Sequence, residues 1–339
     1  MGSVLDPVIA AVRRAVRESL APLAGSGSRV LVALSGGADS LALAAATAYE
    51  ASRAGLEISS ATIDHGLQSG SAEVAARAAE QARDIGIADA RVVRVDVDGV
   101  GGPEAAARDA RYAALRELAT TTGSAAVLVG HTHDDQAETV LLGLARGSGT
   151  ASLKGMSPRA LDDRGIAWIR PLLGVRREET RAFCAHEGLE PWTDPHNADP
   201  RFARVRVRDR VLPVLEQELG PGIADALVRT ADQLREDDEA FADMIDEIIE
   251  DIVEPSEAGI AVSAAALAAN PPALRNRVIR HVVRSEFGVS LTRTQTQEVA
   301  RLVTDWRGQG PIDLPACIAT RRGGLVHVTA NEHDSRQST

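Results

Sequence analysis

The stretch Ser35-Gly36-Gly37-Ala38-Asp39-Ser40 constrains the chain most, because an apolar run, Val30 to Leu34, leads straight into it and an Ala/Leu-rich helical pattern, Leu41 to Tyr49, leads out. That order is strand, glycine turn, helix. Such a turn aims several backbone N–H groups and the positive end of a helix at one point, and paired glycines let an anion approach the backbone. The guest to expect is a phosphate. A G-G-x-D after a strand is equally an ordinary βα turn capped by Ser or Asp, so the surrounding pattern has to decide.

That pattern is a series of βα units. Strand patterns at 29–34, 58–63, 91–96 and 125–130 alternate with helical ones at 40–52, 71–84, 104–120 and 134–146, after an amphipathic helix within residues 4–24. The fold class predicted is α/β, a doubly wound parallel sheet with right-handed crossovers and ligands at the carboxyl ends of the strands. Each polar cluster of this half falls at such an end: Ser35 to Ser40, then Asp64-His65-Gly66, then Gly130-His131-Thr132-His133-Asp134-Asp135.

Beyond residue 147 the pattern becomes turn-rich. A short helix is expected near 176–187, then one across 204–219 interrupted near Pro213, and a long one from Pro221 toward Ile252. Helical patterns at 263–269, 272–286 and 292–304 precede strand-like pieces at 311–320 and 324–329, which predicts a smaller, mostly α-helical substrate domain with a β ribbon. The division expected is 1–215 for the nucleotide-binding domain, 216–254 for an acidic helical connector, 255–330 for a C-terminal domain and 331–339 for a disordered tail.

At 339 residues the chain exceeds one typical domain. Its two cysteines, Cys184 and Cys317, form no C-x-x-C, which speaks against a disulfide framework, a structural zinc site or an iron–sulfur cluster. No apolar leader and no run of 18 apolar residues occurs, so no membrane association and a cytoplasmic location are expected. The net charge of −11 argues at first against nucleic acid, yet Asp232 to Glu254 alone holds eleven acidic residues and one arginine. Elsewhere arginines cluster, at 201–210 and at 275–284; each cluster also reads as a solvated helix face.

Gly130 to Thr139 supports several readings. As a helix start, Thr132 is an N-cap with Asp135 at the third position, a capping box. As a site, Asp135 and Glu138 stand three apart on one helix face and present paired carboxylates to a cation. His131-x-His133-x-Asp135 also echoes a dinuclear metal motif, but Gln136 stands where that motif ends in histidine, and the Ser35–Ser40 loop has no role in such a fold.

The S-G-G-x-D-S loop resembles the pyrophosphate loop of N-type ATP pyrophosphatases. With Ile63-Asp-His-Gly-Leu67, Ala107-Arg-Asp-Ala-Arg-Tyr112, Gly130-His-Thr-His-Asp-Asp-Gln-Ala-Glu-Thr139, Arg146-Gly-Ser-Gly149, Pro171-Leu-Leu, Asp194-Pro-His-Asn197 and Arg204-Val-Arg-Val-Arg208 in order, residues 28–215 resemble the tRNA(Ile)-lysidine synthase family in an actinobacterial form. The resemblance implies an ATP-dependent ligase that joins L-lysine to C2 of the wobble cytidine in the CAU anticodon of tRNA(Ile), which changes codon reading from AUG to AUA. In the family the cytosine O2 attacks the α-phosphate of ATP, pyrophosphate leaves, and lysine then displaces AMP.

By the same resemblance Ser35, Gly36, Gly37, Ala38, Asp39 and Ser40, with Asp64, His65 and Gly130, bind ATP, and Asp39 is the catalytic acid linked to Mg2+. Arg111 assists adenylation, with Arg108 a second candidate. His131, Asp135 and Glu138 bind lysine or shape its pocket, His131 and Asp135 also counting as catalytic, and Arg146, Arg204, Arg206 and Arg208 contact the tRNA. His133 has no family role and is expected to be a solvated loop residue. The family often has R-N-x-[IL]-R where Arg204-Val-Arg-Val-Arg208 stands. Two alternatives remain at this point: another pyrophosphate-loop tRNA-modifying enzyme of thiolase type, or a non-catalytic tRNA-binding protein. Thiolases usually need cysteine pairs, and a pure binder has no need of Asp39, Arg111, Asp135 and Glu138 together.

Overall fold

A computed structural model describes residues 6–66, 70–97, 103–147, 149–194, 198–256 and 259–331. Leu67, Ser148, Pro195-His196-Asn197 and the tail beyond 331, all named above, lie outside the described residues. The chain divides into two compact units, Met1–Arg235 and Glu236–Thr339.

The first unit runs α1 (Pro7–Leu20), β1 (Arg29–Ala33), α2 (Ala38–Ala54), β2 (Glu57–Asp64), α3 (Ser71–Asp84), β3 (Asp89–Arg94), α4 (Pro103–Thr122), β4 (Ser124–Leu128) and α5 (His133–Ala145). These match the predicted alternation closely. α6 (Thr150–Leu153), β5 (Arg159–Leu161), β6 (Ala167–Ile169), α7 (Arg177–His186), α8 (Ala203–Arg206) and α9 (Leu212–Leu219) follow. Strand order is β3-β2-β1-β4-β6-β5, all parallel except the edge strand β5. β5 and β6 have three residues each, too few for alternation to be seen in sequence.

Strand period 2 decides the core. Val30 and Val32 of β1 face a cluster with Val12 and Val16 of α1 and Leu41 of α2, while Leu31 faces Leu115 of α4 and Trp168 of β6 on the other side. Strands β2 and β3 lie to one side of β1 and β4 to the other, so the connections leaving β1 and β4 diverge. That is a topological switch point, where a ligand crevice opens.

The 204–219 helix is interrupted earlier than Pro213 suggested: a π-helical turn at Val207–Val211 separates α8 from α9, and Pro213 sits in the first turn of α9, where it needs no N–H partner. α10 (Ile223–Ile252) carries the acidic run and contains the boundary between the units.

The second unit holds β7 (Val253–Ser256), β8 (Gly259–Ser263), α11 (Ala264–Ala269), α12 (Pro272–Phe287), α13 (Arg293–Thr304), β9 (Ile312–Leu314), β10 (Cys317–Arg322) and β11 (Leu325–Ala330). Its sheet, order β7-β8-β11-β10-β9, has five antiparallel strands, more than the expected ribbon. Phe241, Ile245, Ile248, Ile249 and Ile252 recur at helical spacing along α10 and join this unit's core, so the acidic residues are the outer face of an amphipathic helix. Nor do the 275–284 arginines form one solvated face: Arg275 is buried and donates to the Asn270 carbonyl, while Arg277 pairs with Asp238 and stacks on Phe241.

Candidate active site

The loop after β1 turns at Gly36, φ +81°, a conformation favouring glycine, and a Cβ there would meet Ala78 at 3.3 Å. Ser40 fastens the loop. Its hydroxyl donates to the Gly37 carbonyl (2.9 Å), accepts the Ser35 N–H (3.1 Å) and lies 3.0 Å from the Ser35 hydroxyl. The Trp192 N–H donates to the Gly36 carbonyl across the loop. α2 begins after Gly37, whose lack of a side chain leaves its leading N–H groups uncapped at the positive end of the dipole. Gly130 brings the end of β4 against this turn: a Cβ there would lie 3.1 Å from the Asp39 carbonyl oxygen.

At the start of α5 the Asp135 carboxylate both completes the capping box and pairs with an arginine. Asp135 Oδ2 accepts from the N–H and hydroxyl of Thr132, both at 2.9 Å, while Oδ1 accepts from Arg177 Nη2 at 2.9 Å. Glu138, one turn on, is fully buried. Arg208 grips it bidentately (2.7 and 3.1 Å), and Arg177 reaches its Oε1 at 3.2 and 3.3 Å. Arg204 donates to the Thr139 hydroxyl and stands within 4.0 Å of both carboxylates.

α7 joins this cluster to the loop. The Arg177 N–H donates to Asp134 Oδ2 (2.8 Å), its Nε lies 3.9 Å from Asp39 Oδ2, and the buried Thr180 hydroxyl donates to Asp39 Oδ1. Burial raises the Asp39 carboxyl above the usual range, Thr180 opposing and Asp135 adding to the rise. Burial pushes Asp135 up as well, but Arg177, the Thr132 N–H, His131 and Arg204 outweigh it and hold that carboxyl low.

Arg111 of α4 has no ion-pair partner among the described residues; burial lowers its pKa, and Arg108 and Arg204 repel its charge. Arg108 and Arg111 both stand over the Tyr112 ring, 4.9 and 5.6 Å from its centre. Uncompensated guanidinium charge here favours an anion.

His131 is buried, and its Nδ1 has no hydrogen-bond partner among the described residues. Burial depresses its pKa to about 3; Arg170, Arg108 and Arg111 deepen the shift and Asp135 opposes it. In the unfolded chain the value is about 6.5. Above that pH both states are neutral, whereas below it the unfolded chain takes a proton that the folded one refuses, so His131 withdraws stability as pH falls toward 3. His131→Asn is therefore expected to lose about 2 kcal/mol less than the parent between pH 7 and 4.5 in urea unfolding; equal losses refute a neutral His131.

The remaining predicted residues divide. The Asp64 carboxylate is occupied locally, by the Ser71 hydroxyl, the Gly66 N–H (3.0 Å) and Arg94 (3.7 Å), and the Ser71 bond first among these lowers its pKa. His65 follows it at the end of β2. Arg146 is exposed at the end of α5, and Arg206 donates to the carbonyls of Pro200 and Arg201. Arg204 and Arg208 instead turn inward.

His133 is not the solvated residue expected. Only 13% of its side chain is exposed, and Nε2 lies 3.1 Å from Asp225, which also pairs with Arg176. A dinuclear centre on His131, His133 and Asp135 loses its basis, since His133 is held by Asp225 and Asp135 by Thr132 and Arg177, and no cluster of three His, Cys, Asp or Glu side chains suited to a metal occurs among the described residues.

Sequence reasoning missed Arg177 and Thr180. One signal for Arg177 was available: a cation in the first turn of a helix opposes the macrodipole, so something else must hold it.

Residues 10–215 match the family model described as a PP-loop domain, and residues 263–326 match the one described as a TilS substrate binding domain. Curated relatives called tRNA(Ile)-lysidine synthase include those of Leifsonia xyli, 58% identical over 90% of each chain, Salinispora tropica, 50% over 96% of this chain and 97% of the relative, and Streptomyces coelicolor, 47% over 87% and 83%. Among solved structures, a U34-tRNA thiolase from Methanococcus maripaludis superposes with a TM-score of 0.58 at 20% identity over 68% of this chain and 79% of that one, a likeness of fold alone. The PP-loop match over most of the first unit and the length and identity of the curated matches place this chain in the tRNA(Ile)-lysidine synthase family.

Proposed function

We propose that this protein ligates L-lysine to C2 of the wobble cytidine in the CAU anticodon of tRNA(Ile), converting ATP to AMP and pyrophosphate and codon reading from AUG to AUA. One observation carries the reading: Thr180 and Arg177 of α7 tie Asp39 of the phosphate-binding loop to the Asp135–Glu138 acid pair. A site so built handles a polyphosphate and a cationic amino acid side by side.

The uncapped N–H groups of the loop hold the departing pyrophosphate. Asp39 fits Mg2+, an ion that takes one or two carboxylates and completes its shell with phosphate oxygens and water. Its carboxyl is raised by burial and by Asp135 and Asp134, a strain that a cation relieves. Magnesium, when bound, would offset charge on the phosphates. Arg111, with Arg108 beside it, supplies the unpaired positive charge for the α-phosphate as cytosine O2 attacks.

Lysine's amine, with a pKa of about 10.4, must lose a proton before it displaces AMP. A histidine held near 3 is a poor acceptor for that proton, so His131 shapes the pocket as a neutral ring, and a phosphate oxygen of the departing AMP takes the proton.

The 263–326 segment grips the tRNA, and exposed Arg146 and Arg206 contact its phosphates. On this reading 1–215 is the catalytic domain and 255–330 the tRNA-binding domain, and of the 216–254 segment only the part before residue 236 is a connector, the rest packing into the second unit's core. Thiolase chemistry is disfavoured: Cys184 is buried under the loop, donates to the Ala38 carbonyl, and burial first and Asp39 second push its thiol up to about 12.

The test is incubation with ATP, Mg2+, labelled lysine and a CAU-anticodon isoleucine tRNA at stated salt, because phosphate contacts make RNA affinity salt-dependent. Release of AMP and pyrophosphate with label entering the tRNA is expected; label that never enters the tRNA ends the proposal.

A further inference from the structure

Resting on the assignment of Asp135 and Glu138 to lysine, we propose that Arg177 holds the place of the incoming ammonium group and couples nucleotide binding to lysine binding. The argument starts from acceptor capacity. A lysine ammonium brings three N–H donors. Asp135 Oδ2 is taken by Thr132, and Asp135 Oδ1 by Arg177. Glu138 Oε2 is taken by Arg208, and its Oε1 by Arg208 and Arg177 together. Asp135 Oδ1 and Glu138 Oε2 each keep one acceptor position, but Arg177, Arg204 and Arg208 stand within 4.0 Å of the two carboxylates, so an ammonium group finds their charge already balanced and meets a guanidinium of its own sign.

Moving one side chain changes this. With Arg177 withdrawn, Asp135 Oδ1 loses its hydrogen-bond donor and keeps only Arg204 and Arg208 at 4.0 and 3.9 Å, while Glu138 Oε1 loses two of its three donors. Glu138 stays neutralised by the bidentate Arg208, so it is never a bare buried charge. Lysine then replaces Arg177 one positive charge for one.

The structure also indicates where Arg177 goes. Its Nε already stands 3.9 Å from Asp39 Oδ2, beside the loop. A polyphosphate seated there adds anionic oxygens on that side, and guanidinium binds phosphate in bidentate fashion. The backbone of α7 does not have to follow. Asp134 accepts the Arg177 N–H and Thr180 donates to Asp39, so both ends of the first turn are pinned and only the side chain swings.

Nucleotide therefore clears the amino-acid site, which places lysine binding after ATP. Arg177 acts through Asp135 and Glu138 as a positioning residue.

The experiment is equilibrium binding of labelled lysine to the full chain, with and without Mg2+ and a non-hydrolysable ATP analogue. For the parent protein the analogue should tighten lysine by about tenfold. Equal affinities in the two conditions overturn the proposal with no variant required. In Arg177→Met, lysine should bind without nucleotide about as tightly as the parent does with it, and the analogue should add less than twofold. Weaker lysine binding in that variant, or coupling that persists in it, also overturns the place-holder role. Asp135→Asn separates this from the reading beneath it. If Asp135→Asn leaves lysine affinity intact, the amino-acid site lies elsewhere and that reading fails; if Asp135→Asn weakens lysine while the parent shows no coupling to nucleotide, Arg177 alone loses its role.

Discussion

Asp39→Asn is expected to release pyrophosphate about 10³-fold more slowly than the parent while unfolding at the same denaturant concentration or slightly above it. Both halves follow from where Asp39 sits. It lies in the first turn of α2 next to Asp134 and Asp135, and burial with that like charge raises its carboxyl. Replacing it with a neutral isostere removes repulsion and keeps an oxygen for the Thr180 hydroxyl, whose one proton has the Arg177 carbonyl at 2.9 Å as an alternative acceptor. The fold therefore loses nothing large. The chemistry loses the one carboxylate of the loop, and with it the charge that would draw a cation onto the phosphates. Initial rates of pyrophosphate release from ATP, lysine and tRNA, set beside a urea titration, measure both. A rate within tenfold of the parent removes Asp39 from the mechanism, and a stability loss above about 2 kcal/mol makes it a structural residue instead.

What could be read without coordinates was local in sequence. The strand, glycine turn and helix around Ser35–Ser40 are contiguous, so periodicity and glycine chemistry suffice to place them, and the same holds for the capping box at Thr132 and Asp135. The interactions that unite these pieces are not local. Arg177 meets Asp135 across 42 positions and Thr180 meets Asp39 across 141, distances over which no spacing rule operates. Arg204, Arg206 and Arg208 show the same limit at close range. An arginine triplet reads as a phosphate-binding face, yet helical geometry sends Arg204 and Arg208, four apart, inward to the acids and Arg206 outward. The acidic run of α10 conceals its own apolar stripe for a compositional reason: eleven carboxylates dominate the charge balance, while five apolar residues at helical spacing decide which face is buried. β7 was missed because Val253-Glu-Pro-Ser256 contains a proline, tolerated there because the strand is at the sheet edge.

Glu138→Ala should produce the largest stability loss of any single substitution in the acid pair, about 3–5 kcal/mol in urea or guanidinium unfolding. The residue reads as a ligand-binding carboxylate, but it is wholly buried and makes four charge-assisted contacts with two arginines. Truncation leaves Arg208 without its bidentate partner and Arg177 with Asp135 as its nearest carboxylate. Both side chains are mostly buried, 26% and 13% exposed, so the cost is that of two guanidinium groups left to share Asp135 rather than of a lost surface pair. Asp135→Ala should cost less, about 1 kcal/mol, because it removes a helix cap at the rim of the cluster and leaves Glu138 to hold both arginines. The order of the two losses is the discriminating result. If Asp135→Ala proves the more damaging, or Glu138→Ala stays within 1 kcal/mol of the parent, Glu138 is not the anchor of the cluster. If the predicted order holds, Asp135 is the carboxylate free to exchange partners during the reaction, and Glu138 is the fixed charge that keeps Arg208 in place while it does so.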